Sequence, residues 1–396
     1  MDKLGLEERF EILHSTFTYF DYYFVHWNYA PKGVTLEYLR KRYMKKLLAA
    51  HDRKSFSLLM AQMITELKNG HTWYTDTLLY KKERWPGFYA FYHDKEKKWV
   101  VSKSTLKDVM PGDIIYKVNG QTTEALFKKI SKYICASSER AARNSMFLYY
   151  NWLPKKMSIT TNKGTIHIDR THTKKLKKEH LKTTSRLILP DTLYLKIPRM
   201  HPDKFAEDAI KMIKTHKNCK NLILDLRGNP GGSTPRRLIR MLVKRRTLGS
   251  MQLEMTQKTV SQILTLFYLK KGDKKMKYTS YTMRYAPFKN HYKGNLFVLA
   301  DQSTGSAAED IVLPIRQSRS GTVIGVTTRG SDGSTMPCYS KNGIKIYFGV
   351  NQVRFPDGSR FEGIGIKPDI TVCPTTEEIR TGNDPVLDKA IRLCKH

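Results

Sequence analysis

Ser306 is the position whose type and setting point most directly to chemistry. The apolar, β-prone run Leu296–Ala300 leads into turn residues Asp301–Gly305 and then into Ala307–Arg316, where Ile311 and Ile315 fall four apart as on one helix face. Ser306 is therefore predicted at the junction of turn and helix. Backbone N–H groups at a helix start have no intrahelical partner, so a hydroxyl placed there has donors beside it for negative charge developing on a substrate oxygen. The same position suits an ordinary helix cap, with Glu309 completing a capping box, and spacing alone leaves both readings open.

Three other places carry groups of interest. His71 follows Lys68, Asn69 and Gly70, a stop signal for the preceding helix; a histidine there is either a scaffold-held proton carrier or a surface or capping residue. Glu362 lies in FEGIGIKPDI between an aromatic and a glycine, as a solvated turn residue or as a carboxylate chosen for its reach. The loop DLRGNPGGS, Asp225–Ser233, has glycines that leave backbone N–H groups unobstructed. It lacks both GxxxxGK[ST] and GxGxxG, so a structural turn and an anion cradle are equally compatible with it.

The elements that must position these groups fall into blocks. Residues 5–68 are expected to be helical, with Leu36, Leu39, Tyr43 and Leu47 on one apolar face and Phe56, Leu59, Met63 and Leu67 on another. Residues 85 to about 160 alternate short strands and turns, with Pro111-Gly112 opening a turn, a strand at Ile114–Val118 and a hairpin signal at Asn119-Gly120. Such a module can receive an extended peptide as an added strand. The polar stretch Asp169–Thr184, with Lys174, Lys175, Lys177 and Lys178, is expected to be a linker. After it come strands at Thr192–Ile197, Asn221–Leu226, Leu296–Ala300, Thr322–Thr328 and Lys345–Val353, with helices at Asp203–Lys214, Pro235–Arg246, Ala307–Arg316 and Asp384–Leu393. The expected domains are a helical unit at 1–80 carrying His71, a β-rich unit at 85–168, a linker at 169–190 and an α/β core at 191–396.

Composition narrows the classes. The 396 residues, 40% hydrophobic, are enough for two or three real cores. Seventy Lys and Arg against 36 Asp and Glu give a net charge of +34, which favours anionic partners such as an acidic envelope polymer or acidic substrate segments. The basic residues recur in every segment rather than in one aromatic-interleaved groove, so a solvated basic surface is favoured over a nucleic-acid site. No run is long enough for a transmembrane segment, and the acidic start MDKLGLEERFEIL is not a secretion signal. The expected compartment is extracytoplasmic or the cell envelope if a signal peptide has been removed, and otherwise the cytoplasm. The five cysteines form no CxxC pair, and neither a metal nor another cofactor is expected.

Taken together, the segments resemble the S41 serine peptidases, the tail-specific or C-terminal processing proteases, and within them the tricorn-core-like branch. The matching pieces are NGHT at Asn69–Thr72, MPGDIIYKVNG at Met110–Gly120, YLKIPRM at Tyr194–Met200, LILDLRGNPGGS at Leu222–Ser233, STGSAAED at Ser303–Asp310 and FEGIGIKPDI at Phe361–Ile370. The resemblance implies a multidomain α/β protein with a ClpP/crotonase-like ββα core and a PDZ-like domain at 85–168. It implies Ser306 as nucleophile, His71 as general base and Glu362 in the supporting network, with Ser331 as a candidate intermediary and Asp332 as a weaker substitute for Glu362. The oxyanion hole would come from Ala307, Gly231 and Gly232. Family members with a Ser/Lys dyad carry lysine where this sequence has Ser331; Arg329 nearby stays protonated, so the histidine route is preferred. The implied activity is hydrolysis of peptide bonds in extended or C-terminal segments through an acyl-enzyme. The competing reading is a catalytically silent protein that captures peptides or apolar ligands on the same fold.

Overall fold

The computed structural model describes residues 4–78, 85–173, 181–255 and 278–395. The lysine run at 174–178 lies outside the described residues.

The N-terminal block forms three helices, Leu6–Tyr23, Leu36–Leu48 and Arg53–Thr65. Thr35 and Asp52 cap the second and third, each side-chain oxygen accepting the N–H three residues on. The expected faces are buried at Leu39, Tyr43, Leu47, Phe56, Met63 and Leu67, whereas Leu36 and Leu59 are only partly covered. These helices do not close on themselves. Their apolar faces pack with Tyr339, Ile344, Ile346 and Phe348 from near the other end of the chain, and strand Trp73–Asp76 pairs antiparallel with Ile344–Gly349, which pairs with Thr335–Lys341. Burying a side chain of this size stabilises by about 1.5–3 kcal/mol, so the packing joins chain segments far apart in sequence.

Residues 85–173 build an antiparallel sheet in the order Phe88–His93, Lys98–Ser104, Ile114–Val118, Lys156–Thr161, Gly164–Asp169. Helix Thr123–Ile130 covers it, with Leu126, Phe127 and Ile130 buried.

The remaining chain is organised on a six-stranded sheet ordered Ile370–Thr371, Thr322–Gly325, Asn295–Ala300, Asn221–Asp225, Thr192–Lys196, Thr184–Leu189. All neighbours are parallel except the antiparallel edge strand Thr184–Leu189. Every residue of Asn221–Asp225 is buried, as a strand covered on both faces requires. Helices Lys204–Thr215, Arg236–Leu242 and Glu309–Gln317 lie between successive parallel strands.

Three expectations need correction. The predicted ClpP/crotonase-like ββα core does not form. Successive central strands are separated by helical crossovers and pair parallel, while Thr247–Met255, Tyr278–Tyr285 and Asn351–Arg354 leave to make a separate antiparallel sheet. Local motifs mark where strands end; they do not state which strands pair. The single strand expected at Lys345–Val353 is two, Ile344–Gly349 and Asn351–Arg354, in different sheets. The predicted helix Pro235–Arg246 likewise stops at Leu242, before strand Thr247–Met255.

Candidate active site

Ser306 follows strand Asn295–Ala300 and opens a short 3-10 turn, Ser306–Ala308, that runs into helix Glu309–Gln317. Its φ of +52° is left-handed, a conformation that costs a non-glycine residue energy and is held only by its surroundings. Those surroundings are explicit. The Ser306 N–H donates to Glu309 Oε2 at 3.0 Å and to the Ser331 carbonyl at 2.9 Å. Glu309 also accepts from Thr328 Oγ1 at 2.5 Å, Gly330 N at 2.8 Å and Ser331 N at 3.2 Å. This buried carboxylate thus clamps two loops together. Half of the expected capping box is present, but the Ser306 hydroxyl caps nothing.

The glycine loop touches the same point. Gly231 has φ +101°, and a Cβ on it would come within 2.6 Å of Ser306 Cβ and 2.9 Å of Ala307 N. Only glycine permits that approach. Asn229, fully buried, holds the loop: its Nδ2 donates to the Ile197 carbonyl at 2.9 Å, its Oδ1 accepts the Gly231 N–H at 2.9 Å, and its carbonyl accepts Gly305 N at 3.0 Å. The Gly231 N–H is therefore already used. Among the described residues the N–H groups of Ala307 and Gly232 carry no hydrogen bond, and both residues line a cavity of about 270 Å³ that includes Ser306.

His71 comes from the opposite side. Arg53 and Asp76 form a buried bidentate pair at 2.7 and 2.9 Å that ties the third helix to the strand following His71. Asn69 Oδ1 accepts the His71 N–H at 3.0 Å and Thr72 Oγ1 at 2.9 Å, shaping the turn. His71 Nδ1 lies 3.2 Å from Ser331 Oγ, and Ser331 Oγ lies 3.5 Å from Ser137 Oγ. Ser137 donates a short hydrogen bond to Glu362 Oε1, which Asn69 Nδ2 reaches at 3.4 Å, and Gly70 N donates to Ser137 Oγ at 2.8 Å. Among the described residues Glu362 Oε2 has no hydrogen bond of ordinary geometry, although the N–H groups of Asp332 and Gly70 favour its charge.

The electrostatics follow from burial. Desolvation, helped by the Arg329 guanidinium, pushes His71 down to about 4, so the imidazole is neutral at neutral pH. Burial pushes both Glu309 and Glu362 up to about 7. Asp332 is not part of the run from Glu362 to His71; it sits in the cavity against Asp310, and burial raises both.

His71, Ser331 and Glu362 thus converge through Ser137, and Ser331 joins them to Ser306 by accepting its N–H. No hydrogen bond joins Ser306 Oγ to His71 among the described residues. Ser137 and Asn229 escaped sequence reasoning. Ser137 precedes the true helix cap, Ser138, and only that doubling of serines hinted at a second task. Asn229 sits in a glycine-rich loop, where its side chain carries no local signal of the contacts it makes. Among the described residues no group of His, Cys, Asp and Glu could hold a metal ion, and no helix is long and apolar enough to cross a membrane.

Residues 191–372 match the profile of Peptidase family S41. A probable CtpA-like serine protease of Staphylococcus aureus is 25% identical over 301 residues, covering 72% of this chain. The chain spans about half, 53%, of the length of that curated relative. Among solved structures, mature CPAF complexed with lactacystin has a TM-score of 0.75 at 13% identity, covering 98% of each chain. The photosystem II D1 C-terminal processing protease has a TM-score of 0.58 at 16% identity, covering 98% of this chain and 97% of that one. The two structural likenesses extend over nearly the whole chain, and they show the fold of these proteases in place of the ClpP/crotonase-like core expected from the sequence.

Proposed function

We propose that this chain, which carries a family-level match to the S41 peptidases, hydrolyses peptide bonds through an acyl-enzyme on Ser306. The observation that carries this reading is the Ser306 hydroxyl itself. It stands on a left-handed residue, serves no cap, and opens onto a cavity beside two unused N–H groups. Other non-glycine residues of this chain also take a left-handed φ, and among the described residues Ser306 is the one of them that lines this cavity.

In this reading His71 takes the Ser306 proton as the hydroxyl attacks the carbonyl, then returns it to the departing amine. The contact of Nδ1 with Ser331 leaves Nε2 for Ser306. The imidazolium that forms is stabilised by Glu362 across the Ser137 and Ser331 hydroxyls. Ala307 and Gly232 supply the N–H groups for the oxyanion, while Gly231, its own N–H spent on Asn229, acts by leaving room. The neutral state of His71 suits a base, and closure of His71 onto Ser306 Oγ on substrate binding accords with the loose geometry of many free sites. The β-rich unit at 85–168 would act as a PDZ-like platform for an extended or C-terminal peptide. The helical unit at 1–80 would carry the base and the core at 191–396 the nucleophile.

Labelling with a fluorophosphonate that is lost in Ser306→Ala, together with cleavage of a mixed peptide library, tests the proposal. Peptide binding without labelling or cleavage at any pH would instead support a silent binder.

A further inference from the structure

The cavity beside Ser306 is also lined by the buried Asp310 and Asp332, by Thr234, Gln252 and Asn351, and by the exposed Arg236. Its polarity is organised. Asn351 Nδ2 donates to Gln252 Oε1, Gln252 Nε2 to Ser250 Oγ at 2.8 Å, and Ser250 Oγ to Asp310 Oδ1 at 3.3 Å. Thr234 Oγ1 donates to Asp310 Oδ2 at 2.6 Å. Two of these donors, Ser250 and Thr234, end on Asp310 and favour its charged form over that of Asp332. Among the described residues Asp332 receives one hydrogen bond, from the Gly333 N–H at 2.8 Å, and its carboxyl lies against that of Asp310. Outside the lining, the Tyr285 hydroxyl is 4% exposed, has no hydrogen bond among the described residues and lies within electrostatic reach of Asp310, Asp332 and Arg236. The cavity thus holds two buried carboxyls, one of them reached by a single N–H donor among the described residues, and the mechanism above employs neither.

We propose that this cavity receives the side chain of the residue whose carbonyl Ser306 attacks, and that the Asp310–Asp332 pair selects a cationic one, lysine or arginine. The proposal rests on the peptidase reading for its orientation. A carbonyl oxygen directed at the Ala307 and Gly232 N–H groups puts the side chain of its own residue into the cavity that those two residues line. An ammonium there displaces to water the proton that burial favours on the pair, and finds acceptors that an apolar side chain would leave desolvated and unpaired. Arg236 opposes it weakly, because its guanidinium is exposed and screened whereas both carboxyls are buried. A preference set by such unpaired polar groups is larger than one set by apolar fit.

The test uses the full chain carrying Ser306→Ala, which binds without turnover, and three otherwise identical peptides ending in lysine, norleucine or glutamate. Fluorescence anisotropy is expected to give at least about tenfold tighter binding for the lysine peptide. Asp332→Asn, with its fold checked by its thermal transition, is expected to shrink that ratio to about twofold or less. Norleucine or glutamate binding best, equal binding of all three including none, or a lysine preference that survives both Asp332→Asn and Asp310→Asn would overturn the proposal. Should Asp332→Asn fail to fold, the ranking of the three peptides still decides it. Cleavage by the wild-type chain separates the two readings. Lysine-selective binding without cleavage sinks the peptidase alone, and cleavage with no lysine selectivity sinks the pocket alone.

Discussion

Two buried glutamates, both pushed up to about 7, hold the two halves of the site, and their surroundings differ. Glu309, on the nucleophile side, accepts four hydrogen bonds, from Ser306, Thr328, Gly330 and Ser331, all within 22 residues of it in sequence. Glu362, on the histidine side, is reached by Ser137 and Asn69, which lie 225 and 293 residues away, and one of its oxygens lacks an ordinary hydrogen bond. A fully satisfied carboxylate is a clasp; an under-satisfied one keeps free energy that can be spent when a neighbouring group becomes charged. The nucleophile side is therefore read as pre-set, and the base side as the part that responds.

The sharpest break of that contrast is Ser306→Ala, expected to lower kcat/KM by about 10⁴-fold or more while leaving the unfolding midpoint nearly unchanged. Gly231→Ala comes next. The new Cβ, 2.6 Å from Ser306 Cβ on a residue at φ +101°, is expected to cost more than about 2 kcal/mol in urea unfolding and to lower kcat/KM about a hundredfold by moving Ser306.

The paired glutamine variants divide the two roles. Glu362→Gln is expected to lower kcat/KM by about 10- to 100-fold with little loss of stability, whereas Glu309→Gln turns an amide toward N–H donors and is expected to cost about 2–4 kcal/mol. Their pH dependences separate as well. Because burial raises Glu362 to about 7 and lowers His71 to about 4, the acid limb of kcat/KM in the wild type is expected near 7 and to move toward 4 in Glu362→Gln. Glu309 binds its proton more tightly folded than unfolded. Its contribution is thus complete below the ordinary value of 4.5 and declines as pH rises through about 7, and urea midpoints of Glu309→Gln should lack that decline. An unchanged slope would remove Glu309 from this account.

Ser137→Ala is the finest probe. Deleting the donor that favours the charged form of Glu362 is expected to raise the acid limb above that of wild type and to lower kcat/KM about 3- to 10-fold at neutral pH. An unmoved limb would mean that Ser137 only fills space.

Much of this was legible in the chain. Ile114–Val118 is a strand as expected, and Asn221–Leu226, Leu296–Ala300 and Asp203–Lys214 are observed within a residue at either end, because apolar period and turn residues act locally. Lys345–Val353 misled because the alternation of apolar residues runs straight through the point where the chain changes sheets. The ββα core misled for a related reason: strand pairing is a non-local choice, made by which faces bury together. Ser137 was illegible because its meaning lies in Glu362, 225 residues on.

The amino-acid sequence by itself determined where Ser306 would stand, at the end of an apolar strand and the start of a helix, since backbone propensity and side-chain period act over a few residues. It also determined the strong positive charge and the glycines beside the serine. Only the tertiary structure decided that the Ser306 hydroxyl is released from capping, that Glu309 clasps while Glu362 is left partly unsatisfied, and that Asp310 and Asp332 meet in one cavity. Each of those outcomes depends on burial and on partners delivered by distant strands, and burial is a property of the packed whole rather than of any segment.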